Sequence, residues 1–172
     1  MHRNRLQALP APIQSIALMA KLPPKSPTIH NKKARFNFEI LERLEAGVSL
    51  TGSEVKSLRD GKVSLDEAFA IIRAGEAFLR DCNISPYPMA GYAQHHPTRE
   101  RKLLLHRRQI KKWSEKVTQR GLTIIPLRLY FNDRGMVKIE LGLARGKKHA
   151  DKRADIKKRD QQREIDRVMK RR

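Results

Sequence analysis

Between residues 35 and 145 apolar positions recur in short runs whose period changes along the chain. Phe36, Phe38 and Ile40 alternate with Asn37 and Glu39, a period of two that predicts a strand. Ala46-Gly47 is expected to end it, and Val48-Ser49-Leu50 to open another short extended piece. Glu54 to Asp60 reads as a short helix capped by Ser53 and stopped by Gly61. Ala68 to Ile72 and Glu76 to Leu79 flank Arg73-Ala74-Gly75, a hairpin signal. Cys82 to Pro88 continues in extended form, and its prolines place it at a sheet edge.

From Thr98 to Gly121 the period becomes helical. Leu103, His106, Ile110, Trp113 and Val117 fall on one stripe, and Gly121 stands where a C-cap belongs. Leu122 to Phe131 is again strand-like, Asn132 to Gly135 turns the chain, and Met136 to Leu143 returns. About six short strands with one longer helix predict a mainly β fold, a small closed antiparallel barrel and not a doubly wound α/β sheet.

The flanks differ from this central zone. Residues 1–34 hold no acidic residue and carry Pro10, Pro12, Pro23, Pro24 and Pro27, so a disordered extension is expected over residues 1–30. Met19 opens a plausible second start of translation, and a transit peptide is the other reading of this acid-free stretch, although only Ser15 and Ser26 supply serine. Residues 146–172 contain twelve Lys or Arg and five Asp or Glu. With Ile156, Ile165, Val168 and Met169 as the strongly apolar residues, this basic tail is expected to be disordered alone and helical on a partner. The domain between them spans residues 31–145.

Charge narrows the function. The chain has 172 residues, 38 basic and 18 acidic, for a net charge of +20. Such a field draws polyanions, RNA phosphate above all, with an anionic membrane surface as the rival. No apolar run approaches the ~20 residues that cross a bilayer, and the tail lacks the Trp, Phe or Leu that an inserting face needs. Cys82 is alone, so no intrachain disulfide forms. A Gly-rich phosphate loop, a nucleophile elbow and metal-ligand spacing are all missing. His95-His96 before Pro97 reads as a surface or RNA-facing pair. Glu54, at a predicted helix N-terminus, is explained by the helix dipole alone. No enzyme, metal or cofactor is expected.

Basic residues cluster at Asn31 to Arg35, Lys56 to Lys62, Arg99 to Lys102 and in the tail, with Phe36 and Phe38 beside the first cluster. Structured RNA is held through phosphates, 2′-hydroxyls and stacking on exposed bases. A basic RNA-binding barrel follows, whose RNA could be one species, ribosomal RNA or any single strand. The cations on the long helix, Arg107, Arg108, Lys111 and Lys112, fit a solvated face as well as an RNA contact.

Several blocks go further. Asn31-Lys-Lys-Ala-Arg-Phe, Leu44-Glu-Ala-Gly47 running into Gly52-Ser-Glu-Val-Lys-Ser-Leu-Arg59, Asp81-Cys-Asn-Ile-Ser-Pro86, Thr98-Arg-Glu-Arg-Lys-Leu-Leu-Leu-His106 and Gly146-Lys-Lys-His-Ala-Asp-Lys-Arg153 occur in that order. Together they resemble the SmpB family of bacterial ribosome rescue. The resemblance implies an oligonucleotide-binding-type barrel that binds the tRNA-like domain of transfer-messenger RNA in the cytoplasm and catalyses nothing. It also implies entry into stalled ribosomes with an elongation factor of the Tu type, the tail reaching the decoding centre and the empty mRNA channel. The RNA-facing candidates are Asn31, Lys32, Lys33, Arg35, Glu45, Lys56, Arg59, Asn83, Arg101, Lys102, Leu104 and Lys138. Leu104 has a core reading by ordinary leucine burial, and Glu45 would repel phosphate unless it accepts a base or ribose hydrogen bond. The tail candidates for the ribosome are Gly146, Lys147, Lys148, Asp151, Lys152 and Arg153. The family carries His or Tyr before Asp-Lys-Arg, whereas here Ala150 stands there and His149 one place earlier. The alternative from the residues alone is a ribosomal or general RNA-binding barrel protein.

Overall fold

The computed structural model describes residues 27–148 together with Gln161, residues 163–167 and Met169. The central zone folds as β1 (Ile29–His30), α1 (Ala34–Asn37), β2 (Phe38–Val48), α2 (Gly52–Arg59), β3 (Val63–Ser64), β4 (Phe69–Arg73), β5 (Glu76–Arg80), β6 (Asn83–Ile84), β7 (Arg101–Leu104), α3 (Arg107–Arg120), β8 (Thr123–Phe131) and β9 (Val137–Gly146). Six strands close a ring in the order β8-β4-β5-β7-β2-β9, with β9 pairing back to β8, and every pair is antiparallel. The expected small closed barrel is the observed one. β3 and β6 form a separate two-stranded ribbon, so the extended chain after Cys82 pairs outside the barrel sheet.

Alternation fills the interior. Ile124 and Leu129 of β8, Ile139, Leu141 and Leu143 of β9, Leu79 of β5 and Leu103 of β7 meet in one cluster. Each contributes about 1.5–3 kcal/mol by leaving water. Trp113 of α3 joins that cluster, with Val117 packed against it, and Gly121 ends the helix at φ +59°. At the β4–β5 turn Ala74 and Gly75 both take positive φ, 51° and 74°, the mirror-image turn whose twist suits a two-residue hairpin.

Four boundaries differ from the sequence expectation, each for a tertiary reason. Strand pairing begins before residue 31, because Ile29 and His30 add to the outside of the ring by pairing with Leu129 and Arg128 of β8. Phe36 lies in the single turn of α1, where Asn31 Oδ1 accepts from the N–H of Ala34 at 2.9 Å, so its alternation with Phe38 is coincidental. β2 runs through Ala46-Gly47 to Val48, since long pairing with β9 carries the strand past the glycine. Leu103 belongs to β7 and not to α3; its apolar position fits both periods, and pairing with Ala77 and Val48 selects the strand.

One ion cluster fastens α2 to β7. Glu54 is fully buried, and its carboxylate takes four donors: Arg99 Nε and Arg101 Nε on Oε1, each at 2.8 Å, and Arg99 Nη2 at 2.6 Å with the N–H of Thr51 at 2.7 Å on Oε2. Thr51, not Ser53, is therefore the residue at the helix entrance. Ser53 Oγ instead bonds Nδ1 of His95 at 2.9 Å, whose Nε2–H donates to the carbonyl of Ile84 at 3.1 Å, so His95 is an internal strut while His96 stays exposed. Arg101 is also fully buried and donates to the carbonyls of Cys82, Arg99 and Pro97. Burial pushes the Cys82 thiol up to about 11, leaving it protonated and unreactive.

Burial raises the Glu54 carboxyl, but the bonds from Arg99, Thr51 and Arg101 outweigh it and hold the group below its ordinary value of 4.5. A carboxyl lowered on folding stabilises the fold fully above the unfolded value and ceases to do so as pH falls through the folded one. Glu54→Gln should therefore cost about 3–5 kcal/mol at neutral pH, the usual loss when one member of a buried pair is removed. It should also flatten the fall in stability below about pH 4.5. Urea unfolding at a series of pH values measures both.

Candidate nucleic-acid interface

The outer face of β2, β9 and β8 gathers charge in a fixed lattice. Register places Glu45 opposite Glu140, Gly47 opposite Lys138, Lys138 opposite Tyr130, and Glu140 opposite Arg128. Two facing carboxylates repel, and each is neutralised on its own side. Glu140 pairs with Arg43 at 3.4 Å and with Arg128. Glu45 Oε1 pairs with Lys138 Nζ at 3.2 Å, while the Tyr130 hydroxyl donates to Oε2. These two hydrogen bonds, Tyr130 first, draw the Glu45 carboxyl below its ordinary range; the same bond holds the Tyr130 phenol above its own. The Arg128 guanidinium covers the Tyr130 ring at 4.9 Å.

Two hollows extend this strip. On one flank a pocket of about 450 Å³ is lined by His30, Lys32, Arg35, Arg43 and Arg128 among others. On the other a groove of about 580 Å³ runs past Glu45, Gly47, Leu104, Lys102, Arg107 and Lys138. Its floor depends on glycine. A Cβ at Gly47 would lie 3.2 Å from Leu104 Cβ and 3.3 Å from Leu104 Cδ1, tighter than side chains normally pack. With no Cβ there, Leu104 lies across β2 and keeps 56 % of its surface exposed. The core reading of Leu104 is thereby overturned: β7 turns Leu103 inward and Leu104 outward.

The remaining candidates scatter. Lys32 and Arg35 sit on the strip's flank, and Lys102 lines the groove while paired with Glu76. Asn31 is buried, its amide donating to the carbonyls of Leu65 and Pro126. Arg101 is the clear correction, since its guanidinium is spent inside the protein and cannot reach an external partner. Lys33 turns to Glu67 at 2.7 Å. Lys56 lies over Tyr87 at 5.3 Å and Arg59 over Phe131 at 5.9 Å, both on α2, and Asn83 is exposed on β6. Gly146 ends β9. Lys147 Nζ donates to the carbonyl of Arg35 at 3.0 Å, and Lys148 is exposed. His149, Ala150, Asp151, Lys152 and Arg153 lie outside the described residues, as do residues 1–26. Gln161, residues 163–167 and Met169 are helical, with Ile165 and Met169 exposed.

Tyr130, Arg128, Arg43 and Glu140 were not legible as site residues. Their signal was present only as polar positions alternating with core positions on β2, β8 and β9; the register that unites them is long-range. Among the described residues no group of His, Cys, Asp or Glu could hold a metal ion, and no helix is long and apolar enough to cross a membrane.

The family model described as SmpB protein matches residues 28–171. An SsrA-binding protein of Myxococcus xanthus (strain DK1622) is 54 % identical over 142 residues, 83 % of this chain and 87 % of that protein. One from Synechococcus sp. (strain JA-2-3B'a(2-13)) is 52 % identical over 155 residues, 90 % of this chain and the whole of that protein. Among solved structures, a chain from "tmRNA-SmpB: a journey to the center of the bacterial ribosome" aligns with a TM-score of 0.61 and 50 % identity, covering 72 % of this chain and 86 % of that one.

The opposed faces of β7 make a clean stability test. Leu103→Ala should cost about 2–5 kcal/mol through lost burial and a cavity, whereas Leu104→Ala, on the exposed face, should cost less than about 1 kcal/mol. Thermal melting of the two variants compares them directly.

Proposed function

The chain belongs to the SmpB protein family, and on that premise we propose that it binds the tRNA-like domain of transfer-messenger RNA and brings it to stalled ribosomes in the cytoplasm. The observation that carries this reading is the strip formed by Lys32, Arg35, Arg43, Glu45, Arg128, Tyr130 and Lys138 across one barrel face, with Leu104 as an apolar shelf beside it. RNA needs phosphate neutralisation, hydrogen-bond partners for bases and riboses, and apolar surface for unstacked bases; this face offers all three. The relatives named for SsrA binding and the matching chain from the tmRNA–SmpB structure support the same partner. The protein acts by binding and positioning; the reaction belongs to the ribosome. An elongation factor of the Tu type is the expected companion of the RNA.

The tail supplies the second half of the proposal. Residues 146–172 carry twelve basic residues and leave the barrel beside α1, where the N–H of Lys147 donates to the carbonyl of Asn37 at 3.0 Å. A chain of this composition gains order from phosphate contacts and not from a core of its own. We assign Lys147, Lys148, Asp151, Lys152 and Arg153 to the decoding centre, and the helical residues beyond them to the empty mRNA channel.

Two measurements test this. Six phosphate contacts would make log affinity fall against log salt with a slope of about −4 to −5; a flat response would show that the +20 charge is not used on the backbone. Truncation after Gly146 should leave most affinity for transfer-messenger RNA in place and abolish peptide tagging in a reconstituted translation system. Tagging at the normal rate by the truncated protein would overturn the role given to the tail.

A further inference from the structure

Among the described residues, one aromatic ring stands wholly in solvent. Tyr92 is fully exposed at 105 %, and Met89, three positions earlier, is exposed at 85 %; every other aromatic side chain is buried or partly buried. A tip this open needs a support that keeps it from folding back onto the protein, and residues 84–97 provide one. The Gln94 side chain closes the loop: its Oε1 accepts from the N–H of Tyr87 at 3.1 Å, and its Nε2 donates to the carbonyl of Tyr87 at 2.9 Å. One amide thus supplies a donor and an acceptor to the same residue, as a neighbouring strand would. Inside that clamp the N–H of Ala90 donates to the carbonyl of Tyr87, and that of Ala93 to the carbonyl of Ala90, both at 3.0 Å. Gly91, between them, takes φ +53°. The roots are fastened too. The N–H of Ser85 donates to the carbonyl of Lys62 and that of Ile84 to the carbonyl of Pro97, each at 3.0 Å, while His95 is bonded to Ser53 and Ile84.

We propose that Tyr92 is a stacking platform for one unpaired base of ribosomal RNA. The inference rests on the reading of this chain as one that reaches the ribosome, and it adds a contact on a surface apart from the strip. Charge favours a nucleic acid over a protein groove as the occupant. Residues 82–99 hold no Asp or Glu, so nothing on the loop repels phosphate. Lys56 of α2, itself exposed, lies over the Tyr87 ring at the foot of the loop, 5.3 Å from its centroid. A base in a single strand is held by an open aromatic face with a cation near the backbone on either side. Tyr92 supplies the face and Lys56 the cation. Topology selects the source of the RNA. Under the proposed function β2, β8 and β9 give their outer face to the delivered RNA, whereas this loop grows from the β3–β6 ribbon, outside the ring. Filling the strip therefore leaves Tyr92 open to the surface on which the protein lands. Gln94 is a positioning residue, since it acts through the loop that carries the ring.

The test uses the full chain, a synthetic tRNA-like domain of transfer-messenger RNA, and ribosomes stalled at the end of a truncated mRNA. Tyr92→Ala and Tyr92→Leu should each lose about tenfold in affinity for the ribosomes, the effect of one lost stacking contact, and Tyr92→Phe should bind like wild type. All three should keep the wild-type affinity for the tRNA-like domain and the wild-type melting temperature. Acylation of ribosomal 2′-hydroxyls should fall at one unpaired nucleotide with wild type and Tyr92→Phe, and not with Tyr92→Leu. Gln94→Ala should weaken ribosome binding in the wild-type chain and cost nothing further in Tyr92→Ala, a coupling that a merely structural glutamine would not show. If Tyr92→Ala binds the ribosomes as wild type does, the platform does not exist. If Tyr92→Leu binds as well as Tyr92→Phe, the tip fills an apolar protein pocket and the stacking assignment is wrong. If the variants lose affinity for the tRNA-like domain instead, the loop reads the delivered RNA and the ribosomal source is wrong. Wild type that binds ribosomes but not the tRNA-like domain overturns the proposed function and leaves the Tyr92 variants to decide this inference; wild type that binds neither overturns both.

Discussion

The carboxylate of Glu54 is the point on which the rest of the molecule turns. Four donors from Arg99, Arg101 and Thr51 converge on its two oxygens in a place with no access to water. Charges removed from water are tolerated only when their bonding capacity is filled, and here it is. Through Arg101 the cluster also reaches the carbonyls of Cys82 and Pro97, so α2, β7 and the chain on both sides of β6 are tied to one atom group. β7 in turn joins β5 to β2 in the ring. Without that short strand in place the barrel would not close, and Leu104 and Lys102 would not stand beside Glu45.

The parts of this arrangement that were legible in the sequence are those governed by neighbours. The β4–β5 hairpin, the C-cap at Gly121 and the β8–β9 pair all announce themselves through local turn chemistry and short-range alternation. The parts that were hidden are governed by partners far along the chain. Arg101 reads as one more cation in a basic run, and nothing local says that it is buried; its meaning comes from Glu54, 47 positions away. Leu103 and Leu104 are the same residue type side by side, and only the direction of a four-residue strand separates core from surface. Glu45, Leu104 and Lys138, singled out by the resemblance, line one groove, whereas the identity of Tyr130 as their neighbour needed the register of β8 on β9.

Glycine and glutamate do opposite work on that face. Gly47 removes a side chain so that a leucine can lie flat, giving a basic surface one exposed apolar patch. Glu45 adds a charge of the wrong sign for phosphate, kept in place by a lysine and a phenol. A surface of uniform positive charge would hold any RNA in many orientations. Interruptions of this kind, one apolar and one acidic, convert attraction into orientation.

β9 is paired along nearly its whole length on both sides, to β2 from Lys138 to Gly146 and to β8 from Val137 to Ala144, and the chain passes from it straight into the basic tail. A pull on the tail along the strand direction therefore loads both ladders in shear, many hydrogen bonds at once, where a strand peeled from an edge would release them singly. The barrel is a mechanically stiff anchor, and tension arising wherever the tail is gripped is carried directly through β2 and β8 to the face that carries Glu45 and Lys138.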